Sequence, residues 1–156
     1  MKENTVSIGN SGEYFVAAEL ERRGFTAAVP MSNTKDFDIL AINRATYRQI
    51  ALQVKTNRGK GKYWLLNKKS DELCGKDIYY VLISLNEFEQ PEYYIVESTL
   101  IAESMKKGYQ QWIQEEGKKD KRHETTMRKF AFDVSGVNNV LGLKSEDYKN
   151  RWDKLK

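Results

Sequence analysis

Gln53 and Lys55 stand two apart in the run Ile50-Ala51-Leu52-Gln53-Val54-Lys55-Thr56. An extended strand sends alternate side chains to opposite faces. Ile50, Leu52 and Val54 therefore form one apolar face, and Gln53 and Lys55 share the other. An amide and an ammonium on a half-buried strand need partners, because an unpaired buried charge is costly. A second short strand, Phe37 to Asn43, precedes it; Asp36, just before it, and Asp38 fall on one face of the extended chain. If the two strands pair as a hairpin, Asp38 meets Gln53 and Lys55. Glu13, on the inward stripe of the first helix, can point to the same place. Such a cluster offers hard oxygens to a divalent cation and an ammonium to a phosphate. Mg²⁺ (or Mn²⁺) takes oxygen ligands and keeps several waters. Asp38, the Gln53 amide oxygen, a backbone carbonyl near Val54 and Glu13 are the candidate ligands. Lys55 beside the metal can orient or deprotonate a water, or offset charge at a reacting phosphate.

The elements that must position these groups follow from periodicity and breakers. Asn10 or Ser11 is a plausible N-cap for a helix that runs to Arg23 and stops at Gly24. Val16, Ala17 and Leu20 make its apolar stripe. Strands are expected at Phe25–Pro30, Phe37–Asn43 and Gln49–Thr56. Tyr63–Leu66 is a short apolar segment, and Lys68–Gly75 is expected as a helix. Ile78–Leu85 is a nearly continuous apolar run, the pattern of a central strand. Tyr93–Val96 follows Pro91 as one more strand, and the longest helix is expected from Thr99 to Glu116. Gly117 to Lys129 is expected as a charged loop, and the chain closes with a short helix from Glu146. The order is an α/β sandwich around a mixed sheet. Residues 1–116 would form the core, and 117–156 a charged loop and C-terminal helical appendage of the same domain.

The residues Gly12-Glu13-Tyr14-Phe15-Val16-Ala17-Ala18-Glu19-Leu20, Gly24-Phe25, Asp36-Phe37-Asp38-Ile39-Leu40-Ala41 and Gln53-Val54-Lys55-Thr56 resemble the PD-(D/E)xK nuclease superfamily, and within it the archaeal Holliday junction resolvase-like branch. The resemblance covers roughly the first half of the chain. It implies a restriction-endonuclease-like core (α-β-β-β-α-β with extra C-terminal helices), a Mg²⁺-dependent phosphodiesterase activity and a homodimer. Glu13 matches the helix glutamate, Asp38 the metal aspartate and Lys55 the catalytic lysine. Gln53 departs from the pattern, which has Asp or Glu there. Glutamine keeps an oxygen but removes a full negative charge, so attraction to a divalent cation falls.

Charge distribution points to a polyanionic partner. The formal net charge is +4, yet no Asp or Glu occurs between Ile39 and Ser70. That stretch carries Arg44, Arg48, Lys55, Arg58, Lys60, Lys62, Lys68 and Lys69. A one-signed stretch repels itself unless acids elsewhere or a polyanion balance it, which makes nucleic acid the natural partner, DNA ahead of RNA. Arg58, Lys60, Lys62, Lys68 and Lys69 are the candidate backbone contacts. Lys118, Lys119, Lys121, Arg122, Arg128 and Lys129 form a second basic cluster around His123. Trp64 is the aromatic best placed to stack on a base, and Cys74 reads as a small core residue. With one cysteine there is no disulfide framework or cysteine-rich zinc site. No apolar run approaches the ~20 residues that cross a bilayer, so no membrane role and a cytoplasmic address are expected. Two readings share the motif: an endonuclease, and a binding module of the same fold whose chemistry was lost through Gln53. A third is an assembly subunit whose basic face is incidental.

Overall fold

A computed structural model of the chain describes residues 4–30, 37–115 and 124–156. Asp36, Lys118, Lys119, Lys121, Arg122 and His123 lie outside the described residues. Helix α1 (Thr5–Arg22) begins earlier than its polar start suggests. Its N-cap is Asn4, whose side-chain oxygen accepts the Val6 N–H at 3.0 Å. Ile8 packs on the core ahead of Val16 and Leu20. Tertiary contact therefore sustains turns that contain Gly9 and Gly12, as packing commonly outweighs propensity. Gly24, with φ of +89°, ends the helix and turns the chain into β1 (Phe25–Ala28).

Strands β2 (Ile39–Asn43) and β3 (Gln49–Asn57) form the expected antiparallel hairpin. After β4 (Tyr63–Asn67) the expected helix is only a 3-10 turn, Lys68–Asp71. Strand β5 (Ile78–Ser84) lies parallel to β3, and β6 (Glu92–Glu97) lies antiparallel to β5. The result is a mixed five-stranded sheet, ordered β1-β2-β3-β5-β6. Helix α2 spans Ser98–Gln114.

The sheet has two packed faces. On one, α1 covers Ile39, Leu52, Val54, Val81 and Ile83, with Trp152 and Leu155 closing the end. On the other, α2 and a two-stranded sheet cover Tyr80, Leu82, Tyr94 and Val96. That small sheet pairs β4 with β7 (Met127–Ala131), which sets Trp64 opposite Phe130. Part of the segment expected as a charged loop is thus a strand. Among the described C-terminal residues, helical character is confined to 3-10 segments at Ser145–Asp147 and Trp152–Leu155. Two smaller expectations change. Trp64 is 2% exposed, and its indole N–H donates to the Ile83 carbonyl at 2.9 Å, so it is a core residue with no face to offer a base. Cys74 is exposed. Among the described residues no helix is long and apolar enough to cross a membrane.

Candidate functional site

The hairpin register builds the site. Ile39 pairs with Leu52, so the next step along β2 sets Asp38 across from Gln53. The Asp38 N–H still donates to the Leu52 carbonyl at 3.0 Å. Beyond that bond β2 stops pairing, and the β3 backbone meets a side chain instead. The Asp38 Oδ2 accepts the Val54 N–H at 2.7 Å and also the Gln53 amide N–H. In a strand the N–H and C=O of one residue point to the same side. The Val54 carbonyl therefore faces the same open edge as Asp38.

Glu13 arrives from α1, and Gly12 decides how close the helix comes. A Cβ at Gly12 would lie 2.0 Å from the Thr56 Oγ1, so only glycine lets α1 sit this low on β3. Glu13, Asp38 and Lys55 are near enough to act on one another's charge. Burial raises the Glu13 pKa above its ordinary value, the Asp38 charge raises it further, and Lys55 pulls it down. Burial also raises the Asp38 pKa, against the Val54 N–H, the Lys55 ammonium and the Gln53 amide. Glu13, Asp38, Val54, Lys55 and Arg58 line one open cleft of about 450 Å³.

Gln53 sits differently from the expectation of a direct oxygen ligand. It lines a separate cavity of about 340 Å³ whose wall Lys55 also joins. Its amide turns nitrogen toward Asp38, the one orientation that makes a bond, since a carboxylate only accepts. The donors on offer to a cation in the cleft are two carboxylates and one main-chain carbonyl. All are hard oxygens, and Mg²⁺ sites commonly use one or two carboxylates plus waters. The donor set thus fits Mg²⁺ or Mn²⁺ with one negative charge fewer than a three-carboxylate site. Among the described residues, no group of three or more His, Cys, Asp or Glu comes together to hold a metal.

The candidate DNA contacts divide. Arg58 lines the cleft beside Lys55, and Lys69 lines the cavity beside Gln53. Lys60 pairs with Glu89 at 3.0 Å and Lys68 with Glu124 at 3.1 Å, both on exposed surface. Lys62 is built into the fold, where its ammonium reaches Asp133 at 3.1 Å and the Ser145 hydroxyl at 2.9 Å. Hydrogen bonds from Ser145, with Lys62 adding to them, hold the Asp133 pKa down at about 2. The acids that balance the one-signed stretch thus come from outside it. Tyr80, in the apolar run expected as a central strand, stands beside Gln53 in the parallel β3–β5 register and is buried in the core. Burial, with the charges of Asp38 and Asp71, raises its pKa and keeps the hydroxyl protonated.

A mixed sheet with α1 on one face, α2 on the other and an acidic, lysine-bearing edge at β2–β3 defines the restriction-endonuclease-like α/β fold. The chain matches the structure of a bacterial homing endonuclease with a TM-score of 0.53 at 10% identity, over 96% of this chain and 89% of that one. It also matches Hjc, a Holliday junction resolvase from the archaeal hyperthermophile Archaeoglobus fulgidus, with a TM-score of 0.47 at 16% identity, over 89% of this chain and 93% of that one. No protein-family model and no curated protein matches the chain. At such identities the likeness is one of fold, and function has to be argued from the site.

Proposed function

We propose that this chain is a metal-dependent endonuclease that hydrolyses DNA phosphodiester bonds. The observation behind the reading is the convergence of Glu13, Asp38 and Lys55, from three different elements, on one cleft at the unpaired edge of β3. The fold shared with a homing endonuclease supports it. In this reading Asp38 and the Val54 carbonyl hold Mg²⁺ or Mn²⁺, the Gln53 amide steadies Asp38, and Glu13 holds a metal-bound water or a second ion. The cation would acidify a coordinated water and polarise the phosphoryl oxygen. Lys55 orients the attacking water and offsets the charge that builds on the phosphate. Arg58, with Lys60, Lys68 and Lys69, grips the backbone, which positions the strand without reading its sequence. Lys62 is left out of that grip because Asp133 and Ser145 already hold it.

The test is nicking of supercoiled plasmid in Mg²⁺ or Mn²⁺ against EDTA. Asp38→Ala and Lys55→Ala should each abolish cutting while the circular dichroism spectrum stays unchanged. Cutting at the wild-type rate by either variant would refute the reading. One observation favours a second reading, a binding module that needs no metal: the Gln53 amide already satisfies Asp38. That protein would bind DNA with a steep salt dependence and never cut it.

A further inference from the structure

The alternation that buries Trp64 and Leu66 in β4 turns Tyr63 and Leu65 outward, 48% and 57% exposed. In the paired strand β7, Arg128 and Phe130 go inward, while Met127, 58% exposed, and Lys129 go outward. The register sets Leu65 directly opposite Lys129. The ribbon thus carries Tyr63, Leu65 and Met127 with one ammonium on its outer face. Neighbouring exposed apolar groups of this size mark a contact surface. The face is also pre-set. A Cβ on Gly61 would come within 2.7 Å of the Tyr63 ring, and the Lys129 ammonium lies 4.6 Å from the ring centre.

Charge and position say what covers this face. Neither β4 nor β7 contains an acid, so the ribbon suits a polyanion. Tyr63 and Leu65 also line the cleft that holds Glu13, Asp38 and Lys55. A phosphate seated in the cleft therefore brings the neighbouring bases against the ribbon. The two strands of a ribbon lie ~4.8 Å apart. The major groove of duplex DNA, about 12 Å wide, admits such a ribbon, and the undistorted minor groove, about 6 Å wide, is too narrow for it.

We infer that the outer face of the β4–β7 ribbon enters the major groove of duplex DNA beside the phosphate that is cut, with Lys129 donating to a guanine edge and Leu65 packing on the neighbouring base. This rests on the endonuclease reading above and adds to it the element that reads sequence, which backbone contacts do not supply. Lysine to guanine O6 and N7 and apolar groups to a thymine methyl are pairings that the major groove offers. Tyr63 is a positioning residue here, because its ring fixes where the Lys129 ammonium stands.

Leu65→Glu sets a carboxylate opposite Lys129, a favourable cross-strand pair in the free protein and a like charge against DNA. The probe is a short labelled DNA duplex spanning a mapped nick position, bound in Ca²⁺ and followed by fluorescence anisotropy. Leu65→Glu should weaken binding by roughly tenfold or more, as like charges brought together across an interface do. It should leave the melting temperature of the free protein unchanged or higher. A second set of duplexes is methylated with dimethyl sulfate, which marks guanine N7 in the major groove and adenine N3 in the minor groove. A methyl on a guanine beside the nick should weaken wild-type binding and leave Lys129→Ala binding unaffected, the non-additivity of two changes to a single contact. Equal sensitivity of both proteins to every guanine methyl would overturn the inference, as would interference confined to adenines. So would a lower melting temperature for Leu65→Glu, which would make the face part of the packing. A wild-type dimer that Leu65→Glu splits would assign the face to a second copy of the chain instead. Any of those results, with wild-type nicking intact, leaves the endonuclease reading standing. Wild-type protein that neither binds nor nicks DNA removes both.

Discussion

Gly12 rests against Thr56 so closely that a Cβ on it would come within 2.0 Å of the threonine Oγ1 and 3.1 Å of its Cβ. This contact sets the height of α1 over β3, and with it the distance of Glu13 from Asp38 and Lys55. Helix propensity alone favours alanine over glycine by about 1 kcal/mol. Overpacking a tight contact costs about 1–3 kcal/mol. Gly12→Ala should therefore lower the melting temperature and weaken metal binding together. Gly9, one turn earlier, has nothing within 4 Å of an added Cβ. Gly9→Ala should raise the melting temperature. Gly12→Ala combined with Thr56→Ala should recover part of the loss, because the nearest obstacle is then the 3.1 Å contact. Thermal melts of the four proteins check this, and a Gly12→Ala protein as stable as Gly9→Ala would count against the close approach.

The acidic edge is held at a cost in stability. Burial is the largest cause raising the pKa of both Asp38 and Glu13. A carboxyl whose folded pKa is raised binds more protons folded than unfolded, so stability falls as pH rises from the ordinary carboxylate range through the raised value. Asp38→Asn removes the charge and keeps both hydrogen bonds, since one amide oxygen in the place of Oδ2 accepts from both the Val54 N–H and the Gln53 amide N–H. In EDTA at neutral pH, Asp38→Asn should melt higher than wild type. The difference should shrink as pH drops into the ordinary carboxylate range. Added Mn²⁺ should raise the melting temperature of wild type and leave Asp38→Asn where it was. A wild-type protein that outlasts Asp38→Asn at neutral pH without metal would contradict the burial argument.

Gln53→Glu restores the acid that the PD-(D/E)xK pattern carries at this position. Without metal, a third carboxylate beside Asp38 and Glu13 adds like-charge repulsion, so the melting temperature should fall. With Mn²⁺ the added charge strengthens attraction to the cation, so the metal-induced rise should exceed that of wild type. Nicking should increase if Gln53 limits a working site. Isothermal titration with Mn²⁺ and plasmid nicking read both effects. No change in either places position 53 away from the metal and favours the binding module.

The parts of the site that lie close in sequence were legible in it. The alternation across Ile50 to Lys55 placed Gln53 and Lys55 on one face, and the hairpin brought Asp38 across from Gln53. Gly24 closed α1 as its type suggests. What escaped depends on contacts between distant segments. Residues 127–129 read as the end of a charged loop because Arg128 and Lys129 stand there, and only pairing with β4 makes Met127–Ala131 a strand. Trp64 neighbours a basic loop in sequence, but its register opposite Phe130 turns it into the core. The start of α1 was hidden by its polar residues, because burial against the sheet, not local propensity, holds those turns.

Arg128 and Asp71 show how the late segment is fastened. The arginine side chain is 3% exposed and the aspartate 13%. Its Nε and Nη2 donate to the Asp71 carboxylate, at 3.0 Å to Oδ1 and 2.7 Å to Oδ2, and its Nη1 donates to the Thr125 carbonyl at 2.7 Å. The guanidinium also lies 3.6 Å from the Tyr109 ring centre, so β7, the 3-10 turn after β4 and α2 meet on one side chain. Removing one partner of a buried pair strands the other charge, at about 3–5 kcal/mol. Arg128→Ala should therefore lose a large part of the stability measured by urea denaturation. Replacing both partners, Arg128→Met with Asp71→Leu, should restore most of it, because an apolar pair leaves no uncompensated charge. The same turn carries Lys69, a proposed contact to the DNA backbone, so Arg128→Ala should also weaken DNA binding under conditions where the protein remains folded. A double variant no more stable than Arg128→Ala would mean that the geometry of this contact, and not charge compensation, fastens β7.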